Sequence, residues 1–189
     1  MIHLLILATL KANNPKQSND FGTDCLIHND QYQFEYLYSP NKNTSLVRLI
    51  PLDKVDDFNK LRWSLIEIDD HQSNGQFYLK SSYFDDYICA TNMFADFLGL
   101  RRKVMRVRLK KDDLLDNNCK WILKKKSSIT LDNKYIITNV LFDQSLYAYS
   151  YFFKRNIFQR EVYLWHKKNA KSKTMKWMID CQTGKHLWI

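Results

Sequence analysis

Three stretches of this chain repeat one another, and that constrains the fold more than any motif. Without gaps, Cys25 to Leu37 (CLIHNDQYQFEYL), Gln76 to Ile88 (QFYLKSSYFDDYI) and Lys134 to Leu146 (KYIITNVLFDQSL) align as copies of one pattern: an apolar triplet, a polar turn and a second apolar pair. The columns are Leu26, Phe77 and Tyr135; Ile27, Tyr78 and Ile136; Tyr32, Tyr83 and Leu141; and Leu37, Ile88 and Leu146. Small residues follow in register at Ser39, Ala90 and Ala148. Each copy continues with V-x-L at Val47 to Leu49, Val107 to Leu109 and Val162 to Leu164. Each then closes on a tryptophan: RWSLI at Trp63, KWILK at Trp121 and KWMID at Trp177.

Each unit therefore reads as four short strands, rich in aromatic and β-branched residues and separated by turn residues such as Asn29-Asp30 and Asp132-Asn133. One unit cannot bury its apolar face alone, but three can bury theirs together. The expectation is an all-β protein, a β-trefoil, in which six of twelve strands close a barrel and six form hairpins that cap one end. The tryptophans and the Leu37, Ile88, Leu146 set are then symmetry-related core positions. The 11 Phe, 11 Tyr and 5 Trp supply the core material, and 189 residues suit one domain. That domain spans 25–189, with repeats over 25–70, 76–126 and 134–182, behind an N-terminal segment 1–24. Pro51 to Leu61 has the spacing of one short helical turn.

The chain thus resembles the β-trefoil superfamily. Its SLYAY and QREVYLW segments resemble small secreted arthropod β-trefoil proteins of haemolymph and saliva. Ricin-type lectins of the same fold carry Q-x-W in each unit, whereas this chain has Leu61, Cys119 and Met175 where those glutamines would stand. A trefoil brings its first and last strands together, which makes Cys25 and Cys181 natural partners and leaves Cys89 to pair with Cys119 within the middle unit. Four reduced core cysteines are the alternative. The even cysteine count, together with the apolar start MIHLLILATL read as a truncated signal peptide, points to a secreted, extracellular protein with no transmembrane span.

Enzyme chemistry is not expected. With 4 Gly in all there is no phosphate-cradling loop, and His3, His28, His71, His166 and His186 fall in no catalytic or metal-binding motif. No cysteine pair has zinc spacing, so neither a metal nor a cofactor is expected. The excess of 29 Lys and Arg over 20 Asp and Glu favours anionic partners. It concentrates in LRRKVMRVRLKK, Leu100 to Lys111, where strand alternation sets Arg106, Arg108 and Lys110 in a row about 7 Å apart and Arg101, Arg102 and Lys103 extend it. Such a row suits repeating sulfates or phosphates. Tyr147, Tyr149, Tyr151, Phe152 and Phe153 crowd the third unit beyond what alternation needs, as extra core or as a stacking surface. The expectation is a monomeric, lectin-like, non-enzymatic protein that binds an anionic or neutral glycan, with no role in nucleic-acid binding. The rivals are a structural, storage or carrier protein of body fluid or saliva, and a protease inhibitor using the loop Asn92 to Arg102.

Overall fold

The computed structural model describes residues 20–40, 46–68, 75–94, 105–110, 116–125, 134–149, 159–166 and 172–182. The start MIHLLILATL, the residues Arg101, Arg102 and Lys103, the loop over 95–102, and Tyr151, Phe152 and Phe153 lie outside them. The described residues form twelve strands: β1 (Asp20–Asn29), β2 (Glu35–Tyr38), β3 (Arg48–Pro51), β4 (Arg62–Glu67), β5 (Gln76–Ser81), β6 (Tyr87–Phe94), β7 (Met105–Lys110), β8 (Lys120–Lys125), β9 (Lys134–Asn139), β10 (Gln144–Ala148), β11 (Arg160–His166) and β12 (Trp177–Gln182). Every pairing is antiparallel. β1, β4, β5, β8, β9 and β12 pair each with the next, and β12 returns to β1, so six strands close a ring. The hairpins β2/β3, β6/β7 and β10/β11 complete the three units, and β11 pairs with both β3 and β7. This is the all-β trefoil that the repeats predict.

The core explains the repeat. Trp63, Trp121 and Trp177 are fully buried, and each indole N–H donates to a backbone carbonyl of its own unit's second strand: Leu37 at 3.0 Å, Ile88 at 2.8 Å and Leu146 at 3.0 Å. A buried indole needs that acceptor, so the tryptophan column and the Leu37 column fix one another. Ser39, Ala90 and Ala148 are fully buried as well. Each tryptophan strand follows a 3-10 turn, Phe58–Leu61, Asn117–Cys119 or Lys173–Met175, whose last residue is fully buried. The stretch from Pro51 to Leu61 holds two such turns, Leu52–Lys54 and Phe58–Leu61.

The structure corrects the gapless alignment in the first unit. Asp30, Ser82 and Val140 donate their backbone N–H groups to Lys176, Arg62 and Lys120, the residues just before the three tryptophans, which makes Asn29, Ser81 and Asn139 equivalent. The first turn is therefore one residue longer than the other two, and the early columns slip by one. Ile27, Leu79 and Ile137 form the fully buried column, in place of Ile27, Tyr78 and Ile136, while Cys25, Phe77 and Tyr135 stand across from the tryptophans. Tyr32, Phe84 and Phe142 pack on the core, leaving Tyr83 and Leu141 45% and 54% exposed. The extra length belongs to the turn that carries Phe34, 79% exposed. The first strand begins at Asp20, earlier than the repeat marks, because 20–23 still find partners at Ile66, Leu65 and Gln182.

Cys25 is bonded to Cys181 and Cys89 to Cys119. The first bond joins β1 to β12 across 156 residues, the second lies within the middle unit, and no described cysteine is free. Gly22 makes room for the terminal bridge, since a Cβ there would stand 2.6 Å from the Cys181 sulfur.

Candidate functional site

The third hairpin has two chemically different faces. In β10/β11, Leu146 and Ala148 pair with Leu164 and Val162, and all four belong to the main core. Their neighbours in the alternation, Tyr147 across from Tyr163 and Trp165 across from Ser145, lie on the other face. There Tyr147, Tyr149 and Trp165 gather around Tyr163 as a separate aromatic cluster. The Tyr147 and Trp165 rings stand 5.8 Å apart and tilted by 32°, and Tyr149 meets Tyr163 edge-on at 5.7 Å. Tyr163 is buried, whereas Tyr147, Tyr149 and Trp165 remain half-buried and keep part of their aromatic surface open.

A buried ion pair fixes this face from below. Arg160, at the start of β11 and 3% exposed, grips Glu35 with two hydrogen bonds of 2.7 and 2.8 Å. Its third nitrogen donates to the Tyr149 carbonyl at 2.8 Å, and its guanidinium lies 3.6 Å from the centre of the Tyr32 ring. Burial raises the Tyr32 pKa, and the nearby Arg160 charge partly opposes the rise. Bidentate and stacked, the arginine orders the first unit against the third and holds the backbone that carries Tyr149.

The basic strand lies beside the aromatic cluster. β7 pairs with β11, Arg106 across from Tyr163 and Met105 across from Leu164. On its other edge, Arg108 stands across from Cys89 and Lys110 across from Tyr87, while Val107 and Leu109 take the register of the core residues Ala90 and Ile88. The sequence pattern singles out Tyr147 and Tyr149 but neither Tyr163 nor Trp165, although their alternation with Val162 and Leu164 in the V-x-L strand is the signal that marks them for this face.

Leu61, Cys119 and Met175, at the positions of the lectin glutamines, are fully buried. Among the described residues, no group of three or more His, Cys, Asp or Glu stands where it could hold a metal. No described helix is long and apolar enough to cross a membrane.

No protein-family model matches the chain, and no curated protein matches it in sequence. Solved structures do. The SDF2-like protein from Arabidopsis thaliana aligns over 87% of this chain and 95% of its own, with a TM-score of 0.64 and 12% identity. A protein named BEL β-trefoil aligns over 89% and 97%, with a TM-score of 0.58 and 14% identity. The Polyporus squamosus lectin, solved with the epitope Neu5Aca2-6Galb1-4GlcNAc, aligns over 85% of this chain and 49% of its own, with a TM-score of 0.57 and 13% identity. At such identities the likeness speaks to architecture, and with the closed six-strand ring and three hairpins it makes this chain a β-trefoil.

Proposed function

We propose that this chain is a secreted, non-enzymatic carbohydrate-binding protein whose ligand is an anionic glycan. The observation that carries the reading is the aromatic face of β10/β11 standing in register with the basic strand β7. Tyrosine and tryptophan rings offer flat apolar surface to the C–H face of a pyranose, at little cost in side-chain entropy. A neighbouring cationic row supplies the partner for sulfate or carboxylate groups carried by the same sugar chain. The lectin among the structural neighbours was solved with a sialylated trisaccharide, which supports this class of ligand. Two disulfides suit an oxidising compartment, which supports secretion.

The test is a glycan array holding neutral, sialylated and sulfated oligosaccharides, probed at low and high salt. Binding to the anionic members, falling steeply as salt rises, is the expected result. Trp165→Ala and the pair Arg106→Glu, Arg108→Glu should each weaken it by about tenfold or more. Failure to bind any anionic glycan, or binding unchanged in both variants, would sink the reading and favour a carrier or structural role.

A further inference from the structure

The three seams between units are built alike, but one of them carries chemistry that the fold does not require. Where the first unit meets the second, the 3-10 turn before Trp63 presents Phe58 and Lys60, and the next turn presents Tyr83. The equivalent positions are Asp116, Asn118 and Leu141 at the second seam, and Ser172, Thr174 and Gln31 at the third. A feature needed for folding would recur; this one does not.

At the first seam, two side-chain sets of the same kind lie side by side. Tyr83 is 45% exposed, and the Lys60 ammonium sits 5.7 Å from its ring centre and 2.6 Å from Asp56. Phe58 is 42% exposed, and the Arg62 guanidinium sits 5.4 Å from its ring centre and 3.6 Å from Asp24. The backbone ties the two together, because Ser82 donates to the Arg62 carbonyl at 3.0 Å. Both platforms are held in place. Asp57 caps the Phe58 turn through the Asn59 N–H, and Tyr83 packs edge-on at 4.7 Å against Phe84, which is anchored on the core.

The geometry points to a binding site for a neutral pyranose on this ledge. The class of ligand rests on the carbohydrate reading above; the site does not. An exposed ring gives a stacking surface, and the Asp56–Lys60 pair beside it offers an acceptor and a donor to neighbouring hydroxyls. Asp56 also accepts from the Tyr38 hydroxyl at 3.1 Å, so its orientation is set before a ligand arrives. Asp24, Asp56 and Asp57 outnumber Lys60 and Arg62 here, so the ledge has no positive charge with which to favour an anionic sugar, in contrast to the basic strand.

Titration of the whole protein with methyl β-galactopyranoside and methyl β-glucopyranoside, followed by backbone amide NMR, tests this. With at least one sugar, saturable shifts are expected at the amides of Phe58 to Leu61 and Ser82 to Asp86, unchanged between low and high salt. Tyr83→Ala and Asp56→Asn should each weaken binding by about tenfold. A heparin-derived hexasaccharide added to the same sample reports on β10 and β11 separately. No response at the ledge to either methyl glycoside overturns this proposal even where heparin shifts β10 and β11. Silence at β10 and β11 with a responding ledge, joined to no anionic hit on the array, sinks the anionic reading and spares this one.

Discussion

The seam between the third and first units and the seam between the first and second occupy equivalent places, yet their side chains are put to opposite uses. At the first of these the first strand meets the last, and closure is built from side chains: the Cys25–Cys181 bond and the buried Arg160–Glu35 pair. At the other, β4 and β5 are consecutive strands that pair from Trp63–Ser81 to Glu67–Phe77, and Phe58 and Tyr83 at the seam are left exposed. Joining segments distant in sequence costs more chain entropy than joining neighbours. Stabilising side chains therefore gather where continuity is missing, and variable surface is free where it is present.

The strongest way to break this contrast is to remove the closure. Replacing Cys25 and Cys181 together by alanine should cost about 5 kcal/mol in the loop-entropy account, against about 3.5 kcal/mol for Cys89 and Cys119, whose loop is shorter. Denaturant unfolding of both double variants measures the difference, and equal losses would contradict the special status of the terminal seam. Next in size, Arg160→Met strands the Glu35 carboxylate in the interior and should cost about 3 to 5 kcal/mol, while restoring both partners as apolar residues should recover most of the loss. The interior offers a control. Trp63→Phe, Trp121→Phe and Trp177→Phe each leave a carbonyl unpaired and should cost similar amounts, about 2 to 3 kcal/mol. A large spread among them would mean that the units are less alike than their shared hydrogen bond implies.

The smallest effects belong to the open seam. Tyr83→Ala should change stability by less than about 0.5 kcal/mol, as surface substitutions generally do. Acid should act on the ledge through Asp56. The hydrogen bond from Lys60 holds Asp56 below its ordinary value of 3.8 and raises Lys60 above 10.5. Because the folded carboxylate has the lower pKa, its contribution is present above the unfolded value and is lost as pH falls through the folded one. Sugar binding at the ledge should thus be level from about pH 5 to pH 9 and collapse only in stronger acid, as an NMR titration would show.

What could be read from the sequence follows the same division. Trp63, Trp121 and Trp177 announce themselves because each must bury a large ring and satisfy its N–H, and the fold solves that problem three times in one way. The first turn could not be placed, because one added residue keeps the apolar spacing plausible on both sides of the slip: Tyr83 and Phe84 are both aromatic, and only packing tells which enters the core. The ledge was not legible for another reason. Lys60 and Asp56 read as ordinary loop charges until the second unit brings Tyr83 beside them. The arginines of β7 stand out as a run, but their place beside Tyr163 depends on a strand pairing between units, which no local pattern encodes.

The bond between Cys25 and Cys181 has one more consequence, concerning what a protease can do to the molecule. A cut at any peptide bond between those residues yields two pieces that remain covalently linked, one through each cysteine. In an oxidising fluid the protein can be nicked in any of its intervening loops without shedding a fragment, and the damage would show on a gel only after reduction.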